Sequence, residues 1–534
     1  MSATTDALSG PGAAAPSASA AAPEEKIDMG KLAVFAVMTV GMFMAILDIQ
    51  IVAASLPTIQ AGLAASAEQI SWVQTAYLIA EVIMIPASGY LSRALSTRVI
   101  FCISSAGFTL ASIGCAMAWN IESLVVMRAL QGFIGGAMIP TVFATAFSAF
   151  PRSKQGQISA GIGLIVTLAP TIGPTVGGYI SEFLDWRWLF LVNVIPGALM
   201  TMVVWLYADF DKPDLSMLRR LDFLGFALMA IALGLAEYIL EEGPGDDWFQ
   251  EPSITLFTII SLGSLAWFVR RSLRIENRLV DLTAYTNRNF LFGTLATAGM
   301  GIVLFGLVYI LPLFLARVRG YNSLQIGETL LVTGLSMFLT APLAAISSRK
   351  VDPRFVASFG FLLAGGSTYA LSHMTSEWGY WQLFWPQVAR GSGMMLAMAP
   401  LNVISLGTLT PLQVRNAAGL YNLTRNLGGA FGLAVINTAL TDRTAYHARV
   451  LSDHLDMGRA VVSERISNIS ALLAAKGSPA PEAGAVKMLA SIVEREAATL
   501  AFADCMRLIF LACMVAAVLM LFANPPKPAP VGAH

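Results

Sequence analysis

The sequence predicts an all-α integral membrane protein of fourteen transmembrane helices, on three observations. Its 534 residues are 56% hydrophobic and only 12% charged, about half the ~25% charge that solvates ordinary globular domains. Apolar runs recur along nearly the whole chain, each of about 20 residues and so long enough to cross a hydrocarbon layer of about 30 Å at 1.5 Å per residue. The runs are continuously apolar where barrel strands would alternate, and a helix satisfies its own backbone in lipid.

Residues 1–30 are rich in Ala, Ser, Pro and Gly and lack the apolar centre of a cleavable signal, so they read as a disordered tail. Six spans follow at 31–55, 72–91, 99–118, 123–149, 158–180 and 187–207. Two more, at 221–240 and 253–269, are set off by charged connections, and six complete the chain at 289–316, 324–347, 355–374, 380–407, 417–440 and 501–523. An even number returns both termini to one side, and the basic residues choose that side. Nineteen Lys and Arg, among them Arg93, Arg98, Arg219, Arg220, Arg270 and Arg271, fall in one set of connections. The opposite short loops hold only Arg187, Arg317 and Arg319. Both termini are therefore expected in the cytoplasm, the second as a short tail at 524–534. The long outer segment 441–500 is split by Pro479 and Pro481 into two stretches of helical apolar spacing, the second carrying Val486, Leu489, Val493, Ala497 and Leu500. A hairpin of two amphipathic helices is expected there. It reads equally as a docking arm for a partner and as a surface hairpin joining two spans.

Several chemistries are excluded. Thirty-three basic against thirty-three acidic residues leave no field to attract nucleic acid. Four cysteines (Cys102, Cys115, Cys505, Cys513) lie singly in apolar runs, so neither a thiolate metal site nor a disulfide framework is expected. The four histidines form no zinc-protease motif, and no phosphate-cradling P-loop occurs, which argues against an ATP-driven pump. No cofactor or metal is expected.

A charged side chain inside a span costs about 2.5–3.5 kcal/mol on insertion scales, so each one is paired, solvated in a cavity or reaching toward the surface. Six stand out: Asp48, Glu81, Arg128, Glu237, Arg390 and Arg425. Asp48, Glu81 and Arg128 fall in the first four spans and suggest a shared polar interior. A buried carboxyl beside an arginine suits proton coupling, since access to either face changes its proton affinity; a static buried ion pair is the other reading. Glu237, three residues from the end of its span, reads first as a side chain reaching the outer surface. The fifth span holds Pro170, Gly173, Pro174, Gly177 and Gly178. Two prolines remove backbone donors and the glycines allow close approach, giving a bent surface on which another helix can seal. The 24 methionines and 29 phenylalanines read mainly as lipid-facing or packing residues.

Taken in order, these segments resemble the fourteen-span drug:proton antiporters of the major facilitator superfamily, EmrB/QacA type, over about residues 33–525. Leu47–Pro57 is similar to the first-span motif whose Asp, here Asp48, is implicated in proton coupling. Arg128, Gln131 and Gly132 match the fourth-span motif, and Gly173–Gly178 resembles the antiporter motif of the fifth span. Val280–Leu282 with Arg288–Phe290, Trp385–Gln387 and Asn422–Asn426 also look like EmrB-type segments. Arg93 stands where the loop after the second span usually carries Asp, a replacement shared with EmrB-like proteins.

The resemblance implies two six-helix major-facilitator bundles, at 31–207 and 289–523, with two inserted helices and a linker at 208–288 and the 441–500 hairpin outside the membrane. It implies alternating access about a central cavity, with Asp48, Glu81 and Arg128 in proton coupling. Gln131, Glu237, Gln387, Asn422 and Arg425 are the expected cavity residues. Expected is a multidrug efflux antiporter in the bacterial inner membrane, driven by the proton gradient and exporting hydrophobic or amphipathic compounds. Its expected partners are membrane lipid, an EmrA-like periplasmic adaptor and an outer-membrane channel. A dedicated exporter of one metabolite or siderophore is the alternative within transport, and an integral-membrane lipid-modifying enzyme the alternative outside it.

Overall fold

The computed structural model describes residues 28–275, 278–455, 459–477 and 479–525; most of the two expected tails, 1–30 and 524–534, lies outside them. Among the described residues every regular element is helical. The first, α1 (Met29–Leu63), starts where the Asp28 carboxylate accepts the Gly30 and Lys31 N–H groups. It runs well past the expected 31–55, which puts Asp48 near its middle. Ser66 and Gln69 form a reciprocal capping box that opens α2 (Ala67–Leu95). Next come α3 (Thr97–Ala116), α4 (Ile121–Gly135), α5 (Met138–Ser148), α6 (Arg152–Phe183), α7 (Trp188–Leu191) and α8 (Val194–Tyr207). The fourth and sixth expected spans are thus each broken, at Gly136–Ala137 and at Val192–Asn193.

The middle pair is α9 (Phe223–Glu242) and α10 (Pro252–Ser272), clasped at their ends where Arg271 meets Asp222 at 2.9 Å. Burial alone would raise the Asp222 carboxyl, but the Arg271 guanidinium and the Gly225 N–H hold it below the ordinary carboxylate range. The rest of the chain forms α11 (Arg288–Arg317), α12 (Ser323–Lys350), α13 (Pro353–Leu371), α14 (Tyr380–Leu406), α15 (Pro411–Asp453), α16 (Ala460–Ala475) and α17 (Pro481–Leu521).

Eleven stretches among the described residues are long and apolar enough to cross a membrane. The three expected spans that fall short are α13, α14 and α15. The last two carry their polarity inward, with Gln387, Arg390 and Asn402 buried on α14 and Asn416, Asn422 and Arg425 buried on α15.

Within the segment 441–500, Pro479 and Pro481 fall between two helices that pack on each other, α16 and the start of α17; α15 runs unbroken to Asp453 before them, and α17 continues into its span. Pro481 sits in the first turn of α17, where a missing N–H costs nothing.

One group of helices packs α1 on α6, α2 on α4, and α3 on α4 and α8; a second packs α13 on α14, α11 on α15 and α17, and α12 on α14. Between the groups, α6 meets α12 and α14 while α15 meets α2 and α5. The inserted α9 leans on α2 and, more lightly, on α15. Helix association in lipid gains little from apolar burial and depends on close backbone approach. The seam between α2 and α15 is closed at the face where α1 begins: a Cβ on Gly89 would stand 2.5 Å from the Arg415 carbonyl oxygen.

Candidate functional site

Asp48 lies midway along α1 with no exposed surface, and three side chains, two from α4 and one from the break between α7 and α8, converge on its carboxylate. From α4, Arg128 Nη1 donates to Oδ2 at 2.6 Å. Asn193, at the break between α7 and α8, donates to Oδ1 at 2.6 Å, and Gln131 donates to the same oxygen at 3.2 Å. Arg128 is held in turn by the Val73 carbonyl oxygen (3.1 Å) and by Gln131 Oε1 (2.7 Å), with its guanidinium 4.2 Å from the centre of the Tyr77 ring. Ser112 on α3 accepts from Gln131 at 2.8 Å. The motif glycine Gly132 makes this possible, because a Cβ there would lie 2.3 Å from the Tyr77 carbonyl oxygen and force α4 off α2. The pair is therefore a buried, charge-assisted network. It is not fully satisfied: among the described residues, Arg128 Nη2, Asn193 Oδ1 and the Tyr77 hydroxyl have no hydrogen-bond partner.

The bent helix α6 carries Pro170 and Pro174 within its length and lies along α1 one to two turns beyond Asp48. A Cβ on Gly173 would stand 2.4 Å from Gln50 Cβ, and one on Gly177 would stand 2.7 Å from the Ile51 carbonyl oxygen. Ser181 and Ser55 extend the contact with a 2.8 Å hydrogen bond. The other side of α6 faces α12 and α14. The proline–glycine segment thus joins the helix that bears Asp48 to the opposite group of helices.

The profile of the Major Facilitator Superfamily matches residues 38–433. This chain belongs to that superfamily. Its relatives place it among the EmrB-type transporters, which makes it a transporter and not an enzyme. It is 39% identical over 496 residues to the colistin resistance protein EmrB of Acinetobacter baumannii, covering 93% of this chain and 96% of that protein. It is 30% identical to the fatty acid resistance protein FarB of Neisseria gonorrhoeae (80% and 84% covered) and 29% identical to the multidrug export protein EmrB of Escherichia coli K12 (78% and 82% covered). Among solved structures, the fold is shared with a human organic anion transporter (TM-score 0.56, 14% identity, 90% and 99% covered). A proton:xylose symporter shares it equally (TM-score 0.56, 12% identity, 90% and 95% covered).

In this major facilitator chain, the six charged side chains singled out in the sequence are the six that are buried among the described residues. The structure brings Asp48, Arg128 and Gln131 together, so Gln131 belongs to the ion-pair network. Glu81 on α2 is buried, has no cation within ion-pair distance, and lies in the field of Arg425 and Arg128. Glu237 corrects an expectation: it does not reach the surface but is 4% exposed, with Oε2 unpartnered. It is covered because α9 lies against α2, with Gly234, one turn before it, facing Ile79 and Ile83. On the other group, Gln387 bonds Thr333 (3.0 Å) and the Thr329 carbonyl oxygen (2.8 Å), while Arg390 donates to the Thr333 hydroxyl at 2.5 Å. Asn422 donates to the Ala418 carbonyl oxygen at 2.8 Å and leaves Oδ1 unpartnered. Gln387 and Asn422 stand on different helices, and no direct bond joins them among the described residues.

Sequence reasoning missed Asn193, Ser112 and Tyr77. Asn193 had a readable signal, a lone carboxamide inside an apolar run, but Ser and Tyr are too common in spans to carry one. It also missed a cavity of about 880 Å³ at the face opposite the start of α1, where α15 and α17 extend. Glu241, Tyr309 and Arg317 line its lower part, and Val486, Leu489 and Glu494 of the α17 extension its wall. Three of the five stripe residues read from the sequence, Val486, Leu489 and Val493, therefore line a cavity.

Proposed function

We propose that this chain is a proton-coupled exporter of hydrophobic and amphipathic compounds that works by alternating access. The carrying observation is the fully buried Asp48–Arg128 pair with its unpartnered donor on Arg128 and a second, unpaired carboxylate at Glu81. In this reading Asp48 carries the proton, Arg128 holds the carboxylate when it is ionised, and Gln131 and Asn193 fix its orientation. Protonation removes the charge that pairs with Arg128 and frees α1 and α4 to shift against each other. No cofactor takes part; the proton gradient is the energy source. Glu81 is a second carrier, and Glu237, Gln387, Asn422 and Arg425 line the cargo path with Gln131.

The proposed topology has fourteen spans in a bacterial inner membrane, both termini cytoplasmic, with six-helix bundles at 31–207 and 289–523 flanking α9 and α10. Efflux as the direction of transport is supported by the relatives, whose names speak of resistance to colistin and fatty acids and of multidrug export. The extension of α15 and α17 with α16 offers a surface for an EmrA-like adaptor leading to an outer-membrane channel.

The test is proton release from acid-loaded proteoliposomes on adding a panel of lipophilic compounds, with wild type and Asp48→Asn compared. Release triggered by compound in wild type and removed by the substitution is expected. Undiminished release from well-inserted Asp48→Asn protein would sink the assignment.

A further inference from the structure

The buried charges are divided unequally. On α1, α2, α4 and α9 there are three acids, Asp48, Glu81 and Glu237, and one base, Arg128. On α11–α15 and α17 there are two bases, Arg390 and Arg425, and among the described residues no buried acid. A buried guanidinium without a carboxylate is costly to keep, since each unmade hydrogen bond to a charged donor forfeits its desolvation. Arg425 is the more exposed to that cost. It is 3% exposed, and among the described residues its Nε and Nη1 have no hydrogen-bond partner and no acid lies within ion-pair distance. Its position on α15 faces across the seam: the guanidinium lies 5.5 Å from the centre of the Phe143 ring on α5. Tyr421 lies one turn back on its own helix, and Glu81 lies on α2, one of the helices that α15 packs against. Tyr421 is already committed, its hydroxyl donating to Asn402 Oδ1 at 2.5 Å, which leaves the Asn402 amide nitrogen as a further unpartnered donor.

We propose that Arg425 is a seat for the anionic head of amphipathic cargo, a carboxylate in the first place, and that Glu81 is the protein's own competitor for it. The inference rests on the reading of the chain as an exporter and names one of its cargo classes. The unpartnered Nε and Nη1 of Arg425 lie on different edges of its guanidinium, so a carboxylate can take a charge-assisted hydrogen bond from either edge. Phe143 stacks on the guanidinium face and supplies an apolar wall for the adjoining hydrocarbon. When α15 parts from α2 and α5, the seat opens to cargo. Cargo held on Arg425 removes the cation that favours ionised Glu81, so arrival of an anion and protonation of Glu81 promote one another. A cationic amphipath gains nothing at Arg425 and is drawn to the acids on the other side of the seam.

The experiment is equilibrium binding of decanoate and of decyltrimethylammonium to the purified full chain in zwitterionic detergent, without a gradient. It therefore stays informative if proton coupling through Asp48 fails. Expected is saturable decanoate binding to wild type, and an affinity ratio of decanoate to decyltrimethylammonium that drops at least about tenfold in Arg425→Gln. Arg425→Lys, which keeps the charge, should restore the ratio to within about threefold of wild type. Glu81→Gln, which removes the competitor, should strengthen decanoate binding. An unchanged ratio in Arg425→Gln would overturn the proposal, as would no decanoate binding to wild type or weaker binding in Glu81→Gln. Displacement of decanoate by phosphatidylglycerol would overturn it too, by assigning the seat to a lipid headgroup.

Discussion

Asp48 accepts hydrogen bonds from Arg128, Asn193 and Gln131 at a depth where its side chain has no exposed surface. Removing one member of such a pair strands the other, at a cost of about 3–5 kcal/mol, whereas removing both leaves only neutral groups to accommodate. Arg128→Gln should therefore lower the thermal unfolding midpoint of the detergent-solubilised protein by several degrees, and Arg128→Gln combined with Asp48→Asn should recover most of the loss. Equal losses in the single and double variants would show that the pair is not an energetic unit. The sequence marked Asp48 and Arg128 because a charge in an apolar run is rare, and Gln131 because it falls in the fourth-span motif of the resemblance. It was blind to Tyr77, whose ring covers the Arg128 guanidinium, because a tyrosine in a span is unremarkable until its neighbours are known.

At the scale of the element, α6 shows why the doubled proline sits among glycines. Proline removes the N–H of its own turn and bends the helix; Gly173 and Gly177 then let the bent face close on α1 to backbone distance. If this contact seals the path between the two faces, Gly177→Ala should admit protons without cargo, because its Cβ would stand 2.7 Å from the Ile51 carbonyl oxygen. The expected result is a several-fold rise in cargo-independent proton leak in proteoliposomes. Gly161→Ala, on the same helix with nothing within 4 Å of its Cβ, should leave the leak unchanged. The breaks at Gly136–Ala137 and Val192–Asn193 were not legible as breaks. Neither break is marked by a loss of hydropathy or by a proline at the break itself, and the second falls at the residue whose carboxamide is drawn inward to Asp48.

Across the whole molecule, an ion pair bridges the seam between the two helix groups and can act as a latch. Arg93 stands where the superfamily's loop motif usually has Asp. Asp211, in the connection after α8, pairs with Arg415 at the start of α15 (2.8 Å) and accepts the Thr97 N–H at the start of α3 (2.9 Å). A partly exposed pair of this kind is worth about 1 kcal/mol, enough to change a two-state population roughly fivefold. Asp211→Asn should accordingly speed impermeant maleimide labelling of a cysteine introduced by Asn416→Cys, a position sealed against Gly89. No change in labelling rate would remove the latch. On the opposite face, replacing α16 with a short linker should abolish whole-cell resistance while sparing transport in vesicles, if the extension docks an adaptor. Loss of both would assign it to folding.

The sequence by itself determined that the chain spans a membrane in helices, that six charges lie within those spans, and that its motifs are those of the EmrB-type transporters. Hydropathy and the expense of buried charge are local properties, readable one residue at a time. Only the tertiary structure decided which charges are partnered. Asp48 and Arg128 neutralise each other, while Glu81, Glu237, Arg390 and Arg425 are left without ion pairs. That distinction depends on distances of a few ångströms between helices far apart in the chain, set by where glycine permits one backbone to approach another.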